Sequence, residues 1–339
     1  MSPKRRLAVA VAAVIAAVVT AVGWQYGEDL SSARQRITGR SELAQTACGP
    51  IEYAVIGAGE PVLFVHGAGG GFDQGLGIAH ELSRHGLKVV LMSRFGYLRT
   101  PMPADASAAA QADAHACLLD ALKIDRAVVA GVSAGAPSTV QFALRHPQRT
   151  RALVLLVPAG RAPGNAATAP AATEFIFDTA LRSDLLFWAA TRFARDTMIA
   201  SVLATPPAQV HAASEAEQRR VDELLDQILP VSARRLGLLN DARIVSALAP
   251  VALEGIGTPA LVISVQDDGF GTWDIARQMA SQLPNARFVG YDRGGHVWVG
   301  HHDEVLQEMV AFATGVPNPR TAMPDFIRAA GPIAQRPVR

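Results

Sequence analysis

Apolar and polar positions along the chain fall into three regimes. The first is a nearly unbroken apolar run from Leu7 to Trp24, built mostly of Ala, Val and Ile, with no polar face. The second is a series of short apolar runs of strand length: Ile51 to Ile56, Pro61 to Val65, Lys88 to Met92, Arg126 to Val132 and Ala152 to Val157. Continuous runs of this kind are expected of strands covered on both faces. Between them lie helical patterns at Leu76 to His85, Ala104 to Leu122 and Ala136 to Arg145, with Gly86 placed to end the first. Strand and helix alternating at this spacing predict an α/β fold: a mostly parallel central sheet with helices on both faces.

The third regime begins after Gly160, where long helical stretches replace strands as far as about Pro250. Glu174 to Leu203 carries Phe175, Phe177, Leu181, Leu185, Leu186, Phe187, Trp188 and Phe193, and Ala216 to Leu229 is amphipathic. An inserted helical cap over a pocket fits this pattern. The aromatic side chains then either line the cavity or pack the cap onto the sheet, and packing is the default for any one of them. The strand rhythm resumes at Pro259 to Val265, followed by a helix at Arg277 to Leu283, a strand at Arg287 to Tyr291 and a closing helix at Glu304 to Ala313. The expected division is an N-terminal segment 1–24, a linker 25–48, a core in two parts (49–160 and 251–316), a cap 161–250 and a Pro-rich tail 317–339.

Lys4, Arg5 and Arg6 precede the first apolar run. Positive charge on that flank stays in the cytoplasm, so the remainder is expected to be exported. The run is near the lower length limit for a membrane-spanning helix and long for a signal-peptide core. A retained membrane anchor is the expectation, and secretion after cleavage near Ala21-Val22-Gly23 is the alternative. Two cysteines occur, Cys48 and Cys117. Pairing is open to an exported protein, but the helical setting of Cys117 predicts a buried free thiol.

Composition narrows the partners. Half of the 339 residues are hydrophobic, enough for a sizeable core, and 31 basic against 30 acidic residues give a net charge of +1. Near-neutrality leaves no electrostatic footprint for nucleic acid; the expected partners are a small-molecule substrate, taken into the pocket under the cap, and the membrane, met through the N-terminal segment.

The chemistry centres on Gly131-Val132-Ser133-Ala134-Gly135, a G-x-S-x-G sequence set between a strand and a helix. So sharp a turn strains the central residue and lifts its hydroxyl out of the sheet, while side chains at Gly131 or Gly135 would collide with neighbouring backbone. A serine needs a base, and the base needs a third group to hold it. Candidates lie behind late strands, at Asp267-Asp268 and at Gly294-Gly295-His296. In a parallel sheet the carboxyl ends of the strands share one edge, so these residues can converge.

The order Ser, Asp, His and this strand placement resemble the α/β-hydrolase fold family over roughly Cys48 to Val316. The resemblance implies Ser133 as nucleophile, His296 as general base and acid, and Asp268 as the residue orienting it. It also implies the backbone N–H groups of Ala68 and Ala134 as the oxyanion hole. Asp267 competes with Asp268, and His301 and His302 compete with His296, though a solvated face at the last helix explains them more simply. No cofactor or metal is expected: His301, His302 and Asp303 are neighbours whose side chains diverge on a helix. His66 is expected to brace the oxyanion turn; Arg94 either holds an acidic substrate group or stabilises its own turn. Serine at the elbow implies acyl transfer to water with an ester as substrate. The same residues also support cleavage of carbon–carbon, lactone or amide bonds, or perhydrolysis, and a non-catalytic binding member of the fold is the alternative.

Overall fold

The structure is a computed structural model describing residues 2–161 and 181–315. Phe175, Phe177 and the expected tail at 317–339 lie outside the described residues. Eight strands form one sheet in the order β1-β2-β4-β3-β5-β6-β7-β8. They are β1 (Glu42–Thr46), β2 (Gly49–Ile56), β3 (Glu60–Val65), β4 (Leu87–Met92), β5 (Ala127–Val132), β6 (Thr150–Leu156), β7 (Ala260–Val265) and β8 (Ala286–Tyr291). β2 pairs antiparallel with β1 and β4, and every other pairing is parallel. β2 to β8 fall on the expected apolar runs, and β3 to β7 do so because they are covered on both faces: Val62 to Val65, Val89 to Met92, Ala127 to Ala130 and Ala260 to Val265 are buried along their length, whereas β2 leaves Val55 exposed.

The crossover helices are α2 (Leu76–Ser83), α3 (Ala108–Ala121) and α4 (Ala136–Arg145). α3 starts later than its apolar pattern suggests because the Ser107 hydroxyl caps it, accepting from Ala110 N–H at 3.2 Å. Between β6 and β7 the described chain is helical, with α5 (Asp184–Phe193), α6 (Arg195–Val202), α7 (Pro207–Ala212), α8 (Glu215–Asp226) and α9 (Arg235–Ser246). The described part of the long stretch expected at Glu174 to Leu203 is thus two helices broken at Ala194. α10 (Thr272–Gln282) and α11 (His302–Thr314) complete the core.

Two N-terminal features differ from expectation. Residues 25–37 continue α1 (Pro3–Ile37), a single helix of 35 residues, and β1 follows almost at once. The reason is packing: Leu30 and Ala33 are buried against Trp188 of α5 and Leu229, and the Trp188 indole N–H donates to Asp29 Oδ2 at 2.8 Å. Arg36 donates to the Asp226 carbonyl at 2.9 Å. The second difference is Cys117, expected as a free thiol. It is joined to Cys48, their Cα atoms 6.0 Å apart, because α3 lies against the β1–β2 hairpin at the sheet edge.

His115 is fully buried on α3 with Nε2 3.1 Å from the Ser138 hydroxyl of α4. Burial, with the nearby charges of Arg94 and His146, lowers its pKa to about 3. His66 is also buried, and burial followed by the Arg94 charge holds it well below the usual range. Below the unfolded pKa of about 6.5 the unfolded chain binds protons that these two folded imidazoles refuse. Stability is therefore full above that pH and falls as pH drops, by about 1.4 kcal/mol per unit for each histidine. Urea unfolding midpoints should decline from neutral pH to about pH 5, and His115→Gln should make the decline shallower. An unchanged slope in that variant would count against a neutral His115.

Candidate active site

The site is assembled on the carboxyl edge of the sheet. β5 runs into Ser133, whose φ of 48° is the left-handed conformation expected at a tight elbow. A Cβ on Gly131 would lie 2.8 Å from Thr139 Cβ, and one on Gly135 would lie 2.6 Å from the carbonyl oxygens of Val65 and His66. Both glycines are therefore dictated by neighbouring atoms.

His296, in the loop after β8, places Nε2 2.9 Å from Ser133 Oγ. Its Nδ1 is 2.7 Å from Asp268 Oδ2. Asp268 is 6% exposed and does not stand alone: its Oδ1 accepts from Phe270 N–H at 2.8 Å, and the Thr272 hydroxyl donates to Oδ2. Thr272 in turn lies 3.0 Å from the Ser264 hydroxyl. Asp267 faces away from the imidazole, accepting from Gly295 N–H at 2.9 Å and from the Gln209 amide. One acid thus meets the histidine while its neighbour holds the loop carrying it. The Phe270 ring lies edge-on to His296 with centroids 4.8 Å apart.

Ala68 and Ala134 flank Ser133 on the turns after β3 and β5, and neither N–H donates a hydrogen bond among the described residues. The turn after β3 is held from below. His66 sets Nδ1 2.7 Å from the Gly67 carbonyl and takes Arg94 N–H on Nε2 at 3.0 Å, so it is neutral with the proton on Nδ1. Arg94 is buried. It donates to the carbonyls of His66 at 2.9 Å and Gly67 at 3.1 Å, and its two terminal nitrogens meet Asp241 on α9 at 2.5 and 2.7 Å. Of the two readings of Arg94, the structure takes turn stabilisation. A parallel pair joins Arg234, fully buried, to Asp73 at 2.6 and 3.0 Å and to the Gly70 carbonyl at 2.6 Å. Both pairs fasten the helical insertion to the glycine turn.

Ser133 and His296 open into a pocket whose walls include Ile78, Val132, Val202, Leu203, Leu224 and Ile228. Its insertion side comes mainly from α8 and the end of α6, not from the aromatic run on α5. Trp188 packs on α1, and Phe193 is 70% exposed. Arg220 also lines the pocket, but its guanidinium is bound to Glu217 at 2.8 and 2.9 Å and to the Val297 carbonyl at 2.8 Å. His302, expected on a solvated face, lines the pocket instead. Burial, and then the Arg220 charge, lowers its pKa and favours the neutral ring. His301 stacks on Tyr291 and lies 2.6 Å from Glu304. Of these, sequence reasoning does not single out Thr272 or Asp241, which no local pattern marks, and it weighs His302 only as a rival of His296 on a solvated face.

A mostly parallel eight-stranded sheet carrying a serine elbow, with an acid and a histidine behind β7 and β8, defines a class. A profile of the alpha/beta hydrolase fold matches residues 60–300, and the chain belongs to that family. It is similar to two proteins named 2-hydroxy-6-oxononadienedioate/2-hydroxy-6-oxononatrienedioate hydrolase. The one from Paraburkholderia phymatum is 28% identical over 77% of this chain and 89% of the relative. The one from Paraburkholderia xenovorans is 30% identical over 74% and 85%. Among solved structures, an alpha/beta hydrolase fold protein from Nakamurella multipartita superposes with a TM-score of 0.64 at 27% identity, covering 80% of this chain and 98% of that one.

Proposed function

We propose that this chain is a serine hydrolase that cleaves a small, largely apolar ester through an acyl-enzyme on Ser133, with the helical insertion acting as its cap. The observation that carries the reading is the 2.9 Å contact of Ser133 Oγ with an imidazole whose far nitrogen is held by Asp268. In this scheme Ser133 Oγ attacks the ester carbonyl and passes its proton to His296 Nε2. Asp268 stabilises the imidazolium through Nδ1–H. The oxyanion is received by the N–H groups of Ala68 and Ala134. His296 then protonates the leaving alcohol, and a water deprotonated by the same nitrogen releases the acid.

A second reading is favoured by the two relatives, whose names describe cleavage of dienedioates and trienedioates. On it, the bond cut lies between carbons next to a ketone. A dicarboxylate calls for cationic partners, however. Among the described residues the pocket's one arginine is already occupied by Glu217, with Glu223 also lining the wall. That balance supports the ester. A series of p-nitrophenyl esters run beside a 2-hydroxy-6-oxo-dienoate tests the choice: the ester series should give the higher kcat/KM, and the reverse order would transfer the assignment to carbon–carbon cleavage. Asp268→Asn should keep the fold and lower kcat by roughly 10⁴-fold, because the imidazole loses the partner that fixes its tautomer. An effect as small for Asp268→Asn as for Asp267→Asn would remove Asp268 from the mechanism.

The N-terminal helix, with a mean hydropathy of 2.5 in its apolar window and none of that window buried, is read as a membrane anchor. The enzyme domain then lies on the exported side. The Cys48–Cys117 disulfide supports that side, since disulfides persist in oxidising compartments.

A further inference from the structure

α1 and α5 pack against each other near the end of the apolar run of α1, and both helices carry exposed apolar side chains. The outward side chains of α1 from Leu7 to Val19 are about half to two-thirds exposed, and Trp24 is 71% exposed. At 1.5 Å per residue, Leu7 to Trp24 spans about 27 Å, close to the thickness of a bilayer's hydrocarbon core. Trp24 therefore falls at the membrane–water boundary, where indole rings concentrate. The helical insertion meets α1 at this same level. Val22 and Tyr26 pack into the cluster built on Trp188 of α5, with the Tyr26 and Trp188 rings 5.4 Å apart. Asp29, one turn further on, accepts from the Trp188 indole. α5 thus crosses α1 within a turn or two of where the apolar run ends.

Of the side chains that α5 exposes, Leu185, Leu186 and Phe193 are apolar and Arg192 is charged. Leu185 is 48% exposed, Leu186 58% and Phe193 70%. Large side chains on a short helix tied to a membrane segment by buried contacts are held where that segment puts them, at the lipid boundary.

We infer that α5 is an interfacial helix, seated in the lipid headgroup layer with Leu185, Leu186 and Phe193 entering the acyl boundary beside the anchor. The occupant of this face is the bilayer itself. α5 packs directly against the end of the helix that the anchored reading already places in lipid, and the inference rests on that reading. α6 follows α5 after one residue and ends at Val202, in the wall of the pocket. A seated α5 therefore ties one pocket wall to the membrane surface.

Spin-label accessibility of the full chain in phosphatidylcholine nanodiscs tests this. The native cysteines are paired with each other, so single cysteines introduced at Leu186, Phe193, Val19 and Arg219 can each be labelled with a nitroxide. Arg219 on α8 is a water-facing reference with its side chain 66% exposed. Labels at Leu186→Cys and Phe193→Cys should collide preferentially with dissolved oxygen, as at Val19→Cys. At Arg219→Cys the preference should be for a water-soluble nickel chelate. If Val19→Cys reports lipid while Leu186→Cys and Phe193→Cys match Arg219→Cys, the seat is refuted and the anchor stands. If Val19→Cys reports water, or its segment is missing from the mature chain, the anchor and the seat both fall.

Discussion

Ser133→Ala is expected to lower kcat by roughly 10⁴-fold or more while leaving the protein folded. The hydroxyl is the only atom removed. Alanine tolerates the φ of 48° as well as serine does, and the clearances at Gly131 and Gly135 are untouched. Residual turnover above the background in water should remain, because the Ala68 and Ala134 N–H groups and the pocket walls are still in place. A fluorophosphonate should label the parent protein stoichiometrically at Ser133 and leave the variant unlabelled, with equal thermal midpoints for the two. Turnover near the parent's, or adduct at another residue, would displace Ser133 as nucleophile.

The second large effect concerns stability. Asp241 accepts from both terminal nitrogens of Arg94 and from the Tyr97 hydroxyl, and all three side chains are buried. Asp241→Ala leaves a buried guanidinium without its counter-charge, which typically costs about 3–5 kcal/mol. In a domain of this size that corresponds to a fall in Tm of roughly 6–20 °C. The cost arises from stranding the charge rather than from losing an attractive pair. Arg94→Met combined with Asp241→Leu should therefore recover a large part of the loss. Activity should not recover with it, because Arg94 also holds the carbonyls of His66 and Gly67 that shape the turn beside Ser133. A double variant no more stable than Asp241→Ala would contradict this account.

The strands of the core could be read from sequence because burial on both faces writes itself as short apolar runs, and the elbow because its two glycines, one crowded by Thr139 and the other by the distant carbonyls of Val65 and His66, stand at a fixed local spacing around the serine. What local pattern could not give are contacts between distant elements. Arg94 and Asp241 are 147 positions apart, and although Arg94 can be noticed in its turn, nothing local points to Asp241 as its partner. Cys117 looked like core because its helix is otherwise buried, yet the face it occupies meets the edge hairpin. Residues 25–48 are expected as a linker, with a tether or a short helix open for the polar stretch from Glu28 to Arg40, because polarity marks exposure. That stretch's minority of buried positions, Leu30 and Ala33, decided the matter instead. Packing is the default reading for the aromatic run on α5, and Phe187 and Trp188 do pack, though onto α1 rather than the sheet, while the less conspicuous α8 lines the pocket. Between Asp267 and Asp268, one residue of offset behind β7 separates holding the loop from holding the imidazole.

The two buried arginine–aspartate clasps carry a lesson for anyone shuffling parts within this family. Each clasp splits its charges between the sheet domain, which supplies Arg94 and Asp73, and the insertion, which supplies Asp241 and Arg234. A foreign insertion grafted between β6 and β7 to alter selectivity would arrive without the matching halves. Chimaeras here must be designed as charge-matched sets, or they will misfold before their selectivity can be measured.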